Sequence, residues 1–332
     1  MRFNLILFVL MITVTVLPAK TKIKFASLAP EGSTWMNVME EYAEAVSKAT
    51  NGEVTFKMYS GGVAGDELIV LRKIRVGQLH SAGFTGVGLG EILPEVRILD
   101  SPFLFRSFAE VDHISAQLFD YFNRKFDEKG FILLGWAEVG FVYVFTNKPI
   151  YSIDDMSGVK MWMWEGDPIA EATFKAFEIS PIPLSISDVL TSLQTNLING
   201  IYVSPLGCVA LQWHTKVTNM LQLPLANSNG AVLMAKKQFN ILTPEQQTIL
   251  KDVSKEYFDK LTDLSRKDNE KSLELIKEAG IKFTSITNTE ELDHFYQSGK
   301  DARQALVGKL YDLELLNRVE NALADFRKNN NK

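Results

Sequence analysis

The sequence predicts an α/β protein of two domains, and three observations carry that prediction. The chain opens in a β-α-β-α-β order, the same alternation restarts near Val159, and a helical pattern in the last third is too long for one small α/β domain. A β-α-β alternation implies a mostly parallel sheet covered by helices.

Each element has a local signal. Lys22 to Leu28 alternates as a first strand, and a helix follows from about Thr34 to Thr50, ending at the Asn51-Gly52 turn. Glu53 to Tyr59 alternates again. Beyond Gly61-Gly62, Asp66 to Val76 carries Leu68, Val70, Leu71 and Ile74 at helical spacing. A short extended segment at Ser81 to Thr85, a loop through Pro94, a helix near Phe108 to Lys125 and a strand at Phe131 to Ala137 complete the first half. Phe141 to Thr146 reads as a strand running into the Asn147-Lys148-Pro149 turn. The alternation restarts with Val159 to Trp164, a helix from Asp167 to Phe177, an extended piece at Ile179 to Pro183, a helix from Asp188 to Thr195 capped by Ser187, and a strand at Ile201 to Ser204. Thr243, Pro244 and Gln246 form a capping-box start, and the apolar face from Ile249 to Leu264 can run on to Ala279-Gly280, roughly 50 Å at 1.5 Å per residue.

The N-terminus has the pattern of a secretory signal peptide: Arg2 as the basic region, an apolar stretch from Leu5 to Leu17, and Pro18-Ala19 before Lys20. Cleavage after Ala19 is expected, and with it a periplasmic location. The formal charge of −5 argues against a nucleic-acid surface, which needs a basic patch. A single Cys208 leaves no intramolecular disulfide.

Catalytic patterns are scarce. The 4 histidines are scattered, without zinc-ligand spacing, and no nucleophile elbow is present. Gly86 to Gly90 is glycine-rich but lacks the spacing of a phosphate or dinucleotide loop; it reads as turn glycines with no helix. Nothing in the chain reads as an enzyme, and no cofactor is expected. The stretch from Gly158 to Trp164 is more telling. On a strand, Lys160, Trp162 and Trp164 share one face, with Met161 and Met163 on the other. Taken alone, such a pair of indoles reads as core.

Ser27 to Ser33, Thr50 to Gly52, Leu99 to Phe105, Thr146 to Ile150, Asp155 to Lys160, Ser192 to Thr195 and Asn199-Gly200 occur in an order and spacing that resemble the solute-binding proteins of tripartite ATP-independent periplasmic (TRAP) transporters, the dicarboxylate-receptor (DctP-like) type. The resemblance implies an α/β, two-domain periplasmic binding protein-like fold with crossing strands and a long domain-spanning helix. It implies a first domain of 20–145 plus about 226–262, and a second of 146–225 plus about 263–330. It also implies a small-molecule ligand in the interdomain cleft and docking of the closed receptor on membrane permease subunits.

In that family an Arg on the strand occupied here by Gly158 to Trp162 holds a ligand carboxylate, often with a second Arg just upstream. Here Trp162 and Val142 stand at those two positions, so the chain resembles an Arg-lacking branch, some members of which have a tetratricopeptide-repeat partner protein. The family's pocket Asn has no clear counterpart; Ser204 or Val203 stands there. Replacing a guanidinium by aromatic surface points to an apolar or amphipathic solute. The expected ligand-binding residues are Trp162, Val142, Trp164, Phe141, Ser204 and Tyr202 from the second half, with Phe84, Thr85, Trp35 and Glu31 from the first. Trp35 reads equally well as core of the first helix. The alternative keeps the receptor role for a conventional organic acid held by another polar anchor, Lys160 or Arg97.

Overall fold

The structure, a computed structural model, describes residues 20–330. The expected signal peptide lies outside the described residues.

In chain order the first half runs β1 (Thr21–Ala26), α1 (Thr34–Ala49), β2 (Val54–Tyr59), α2 (Glu67–Arg75), β3 (Ser81–Thr85), α3 (Gly86–Ile92), a 3-10 turn (Pro94–Asp100), α4 (Phe108–Glu128) and β4 (Phe131–Trp136). Then come β5 (Gly140–Thr146), β6 (Trp162–Trp164), α5 (Pro168–Ala176), β7 (Ile182–Leu184), α6 (Val189–Gln194), β8 (Gly200–Val203), α7 (Pro205–Ala210), β9 (Asn219–Leu221) and β10 (Ala226–Ser228). The chain closes with β11 (Gly230–Ala235), α8 (Lys236–Phe239), α9 (Pro244–Glu278), β12 (Lys282–Thr284), α10 (Thr289–Ala305) and α11 (Leu313–Asn330).

Two mixed sheets define the two α/β domains. The first has the order β2-β1-β3-β11-β4, and the second the order β10-β5-β9-β12 with β8 also paired to β5. In the first, β1 lies parallel to β2 and β3, and β11 runs antiparallel to β3 and β4. One face of this sheet packs Phe84, Leu118 and Phe122 under α4, and the other packs Phe25, Met39 and Tyr42 under α1 and α9. The chain crosses between sheets twice side by side, from β4 to β5 and from β10 to β11. The crossings are tied together by Ala137 N–H to the Gly230 carbonyl (2.7 Å) and Val139 N–H to the Ser228 carbonyl (3.1 Å).

A third link is α9. Thr243 and Gln246 form the capping box that the sequence predicts, with Pro244 at the first helical position. Its 35 residues extend about 50 Å. Leu250 and Phe258 are buried with the first domain and Ile276 with the second, so one apolar stripe serves both cores. Near its middle, the Asn269 amide donates to the Val139 carbonyl (2.9 Å) and accepts the Leu206 N–H (3.0 Å), pinning a crossing strand to α7. Gly140 at that crossing has φ +110 and lies too close to Asn269 for a Cβ.

One expected loop is a helix. Gly86 to Gly90 begins α3, and the glycines are there for close packing. A Cβ on Gly86 would collide with the Asp100 carboxylate, and one on Gly90 would sit 2.7 Å from Arg97 Cγ. Spaced four apart, the two glycines clear one face of the helix for the Arg97 side chain. Glu67 caps the helix from a distance: its carboxylate accepts Thr85 N–H (2.7 Å), the Thr85 hydroxyl (3.0 Å) and Gly88 N–H (2.7 Å).

Candidate functional site

Between the two sheets lies a cavity of about 90 Å³. Thr85, Arg97 and Asp100 reach it from the first domain, Trp164, Asp167 and Tyr202 from the second, and Asn227 and Ser228 from the β10 crossing. Sequence dictates much of this placement. Pro94 starts the 3-10 turn that delivers Arg97, and Asp167 is the N-cap of α5, accepting Ile169 N–H at 3.1 Å ahead of Pro168 at the first position.

Arg97 is the organising charge. Its Nε donates to Asp100 (2.8 Å) within the first domain and its Nη2 to Asp167 (2.9 Å) in the second, all three side chains being buried. Two carboxylates on one guanidinium leave the cluster acid-rich. Burial pushes the Asp100 carboxyl up to about 6, against the pull of Arg97 and of the Asn229 N–H that donates to it at 2.7 Å. The Tyr202 hydroxyl accepts Trp164 N–H (3.2 Å), and burial holds its pKa well above the phenolic norm.

Asn227 is the second notable group. It is 1% exposed, and neither its carbonyl oxygen nor its amide nitrogen has a hydrogen-bond partner among the described residues. Buried polar atoms are almost always paired, so a side chain orphaned at both ends on a cavity wall is equipped for a donor and an acceptor from elsewhere. Val142, Ile169 and Phe174 give the rest of the wall an apolar character.

Of the residues expected at the site, Thr85, Val142, Trp164 and Tyr202 line the cavity. The others lie elsewhere. Trp162 is buried in the second-domain core, stacked on Tyr202 (5.0 Å) and edge-on to Trp213 (5.2 Å), with its indole N–H donated to the Leu184 carbonyl (3.1 Å). Phe141 packs on Phe108 at 4.8 Å, and Phe84 is buried in the first-domain core. Ser204 caps α7 through Gly207 N–H (3.1 Å). Trp35 stacks on Phe25 at 6.1 Å over the Cβ-less Gly83, and Glu31 is exposed in the turn before α1. Lys160 is exposed, its Nζ donating to the Asn196 carbonyl (3.0 Å).

Sequence reasoning passed over Asp100, Asp167 and Asn227 as site residues. Asp100 and Asp167 sit inside recognisable motifs, where an acid before a helix or turn reads as a cap. Asn227 falls on a short strand with no local signal.

Two α/β domains with paired crossing strands, a helix spanning both, and a buried polar cluster shared across the cleft define a solute-binding receptor. The chain belongs to the family of bacterial extracellular solute-binding proteins, family 7 (DctP), whose model matches residues 25–307. It is a transport receptor rather than an enzyme. Among curated relatives, a solute-binding protein of Verminephrobacter eiseniae is 28% identical over 227 residues, covering 66% of this chain and 65% of that one. The 2,3-diketo-L-gulonate-binding periplasmic protein YiaO of Escherichia coli is 26% identical, covering 73% and 74%. Among solved structures, the sugar acid binding protein DctPAm of Advenella mimigardefordensis in complex with galactonate superposes with a TM-score of 0.86 at 21% identity, covering 92% and 99%. A TRAP periplasmic solute-binding protein of Polaromonas bound to D-erythronate gives 0.83 at 18%, covering 90% and 98%. Among the described residues no group of acidic, histidine or cysteine side chains could hold a metal ion, and no helix is long and apolar enough to cross a membrane.

Proposed function

We propose that this chain is the periplasmic receptor of a TRAP transporter for a compact hydroxy acid, held between Arg97 and Asn227 and delivered to the membrane permease by opening of the closed cleft. The observation that carries the reading is the doubly unpartnered Asn227 amide in the same cavity as a guanidinium. A hydroxyl offers one donor and one acceptor, matching that amide at both ends. Leaving either end unmade costs about 1–3 kcal/mol, so an apolar solute would forgo that gain. Nε and Nη2 of Arg97 are engaged with Asp100 and Asp167, which leaves Nη1 for a ligand carboxylate. Val142, Trp164 and Ile169 cover the carbon chain.

The cavity, about 90 Å³, is smaller than the ~150 Å³ that holds a benzene ring, so even a compact acid needs the cleft to open somewhat, and a fatty acyl chain or a sterol needs far more. The expectation of an apolar or amphipathic ligand gives way to its alternative, an organic acid on a different polar anchor. Arg97, not the surface-bound Lys160, is the better placed anchor. The galactonate and D-erythronate bound by the two similar structures are both hydroxy acids. A tetratricopeptide-repeat partner finds no support in the named relatives.

Titration calorimetry with glycerate, lactate, propanoate and decanoate tests this. Glycerate and lactate are expected to bind about tenfold or more tightly than propanoate, one hydrogen-bonded hydroxyl being worth ~1.4 kcal/mol, with no response to decanoate. Asn227→Leu should erase the preference for the hydroxyl. Tight decanoate binding without hydroxy-acid binding would restore the apolar reading.

A further inference from the structure

Far from the ligand cavity, at the opposite end of β3, a second pocket opens on the first domain. Thr85 ends β3 at the cavity, whereas His80 precedes the strand and lies in this pocket, roughly 17 Å away at 3.3 Å per residue. The pocket has a volume of about 510 Å³ and is framed by the end of α2, the turn after α4 and the start of α8.

Its charge is one-sided. Arg75, Lys129 and Lys237 stand on its wall with His80, and no carboxylate is among the described residues that line it. Those three cations are exposed, and none forms an ion pair among the described residues. In a chain of formal charge −5 this is a local reversal of sign. His80 Nδ1 accepts the Lys24 N–H at 3.2 Å, which leaves its other nitrogen as a donor. Burial and the nearby Lys24 hold its pKa below the usual histidine value. The pocket is not only polar: Phe131 forms part of its wall, and Val76 stands at the edge 70% exposed.

We propose that this pocket docks an acidic peptide segment of a protein partner, carboxylates meeting Arg75, Lys129 and Lys237 and an apolar side chain resting on Val76 and Phe131. The volume exceeds what one phosphate or carboxylate fills, and the cations come from three separate elements around a concavity. A flat bilayer surface would meet protruding cations rather than a hollow. Recognition of acidic motifs by clustered cations of this kind is salt-sensitive and gains in rate from long-range attraction.

The test is fluorescence anisotropy of a labelled synthetic peptide, Glu-Asp-Leu-Glu-Glu-Phe-Asp, titrated with the full protein. Binding is expected, weakening about fivefold or more between 50 and 200 mM NaCl. The triple variant Arg75→Glu, Lys129→Glu, Lys237→Glu should bind at least about tenfold more weakly while its melting temperature and glycerate titration stay as in the parent. Should that variant not fold, the milder Lys129→Ala, Lys237→Ala pair is expected to weaken the peptide severalfold. Absence of peptide binding, or equal binding by the variants, overturns the proposal. So does displacement of the peptide by inorganic phosphate at equal concentration, which marks a small-anion site. Equal charge-dependent binding to phosphatidylcholine–phosphatidylglycerol vesicles marks a membrane surface and overturns it as well.

Discussion

Arg97 and Asp167 face each other across the cleft, and their 2.9 Å ion pair joins the 3-10 turn of one domain to the first turn of α5 in the other. The same guanidinium is held from behind by Asp100 at 2.8 Å, in space that Gly86 and Gly90 leave open. A cation shared by two buried carboxylates ties the two domains together, and under the proposed reading it is the ligand's anchor as well.

Removing the cation should therefore be costly. Arg97→Met leaves Asp100 and Asp167 buried without compensation, which for a broken buried pair costs about 3–5 kcal/mol. Urea unfolding of parent and variant measures it. A loss under about 1 kcal/mol would mean that water already screens the cluster.

Under the proposed hydroxy-acid reading, Asp100 makes binding depend on pH. Its carboxyl is pushed up to about 6 by burial, and a ligand carboxylate on Arg97 adds a further negative charge nearby, raising the proton affinity of Asp100 in the complex. Binding thus takes up a proton, so affinity for glycerate should rise as pH falls from about 8 towards 6 and level off below. Calorimetry in buffers of different ionisation heat detects the uptake directly. Asp100→Asn should flatten the profile; an unchanged slope in that variant assigns the proton elsewhere.

Most of the fold was legible because its signals are local. The capping box at Thr243 and the apolar stripe of α9 lie within contiguous windows, and strand alternation located β1 and β2. What escaped was set by tertiary packing. The glycines of α3 look like turn residues in sequence, yet Gly86 and Gly90 leave room for Asp100 and Arg97, and Gly88 for Phe84 and Glu67. Trp162, which the resemblance sets at the position of an acid-binding Arg, shares its strand face with Trp164, but only Trp164 borders the cavity, and alternation cannot say which of two same-face residues a cleft reaches. Asn227 is distinguished only by what fails to surround it.

That placement separates two consequences of restoring the family residue. Trp162 is 2% exposed, its ring among Trp164, Tyr202 and Trp213. No carboxylate forms an ion pair nearby among the described residues except Asp167, already engaged with Arg97. Trp162→Arg should cost about 3–5 kcal/mol in folding stability, the scale of a lost buried aromatic plus an unpaired charge. Thermal unfolding checks it. A variant as stable as the parent that bound propanoate tightly would show that the strand can turn its side chain into the cleft.

Glu67 supplies a separate test that bears on stability alone. Its carboxylate is buried beneath α3, and burial raises its pKa from the ordinary value of 4.5 to about 7, despite the donors from Thr85 and Gly88. The folded protein then holds a proton that the unfolded chain releases between those two values. Its contribution is fully present below pH 4.5 and is lost as pH rises through 7. The swing is on the order of 3 kcal/mol at 1.36 kcal/mol per unit. Glu67→Gln cannot ionise, so its unfolding free energy should be flatter across that window than the parent's, even though one amide N–H now opposes a donor and lowers the curve throughout. Urea unfolding at pH 4.5, 5.5, 6.5 and 7.5 resolves the slope from the offset. Parallel curves would mean that the three hydrogen bonds keep Glu67 ionised and that the remote cap of α3 is a permanent charge.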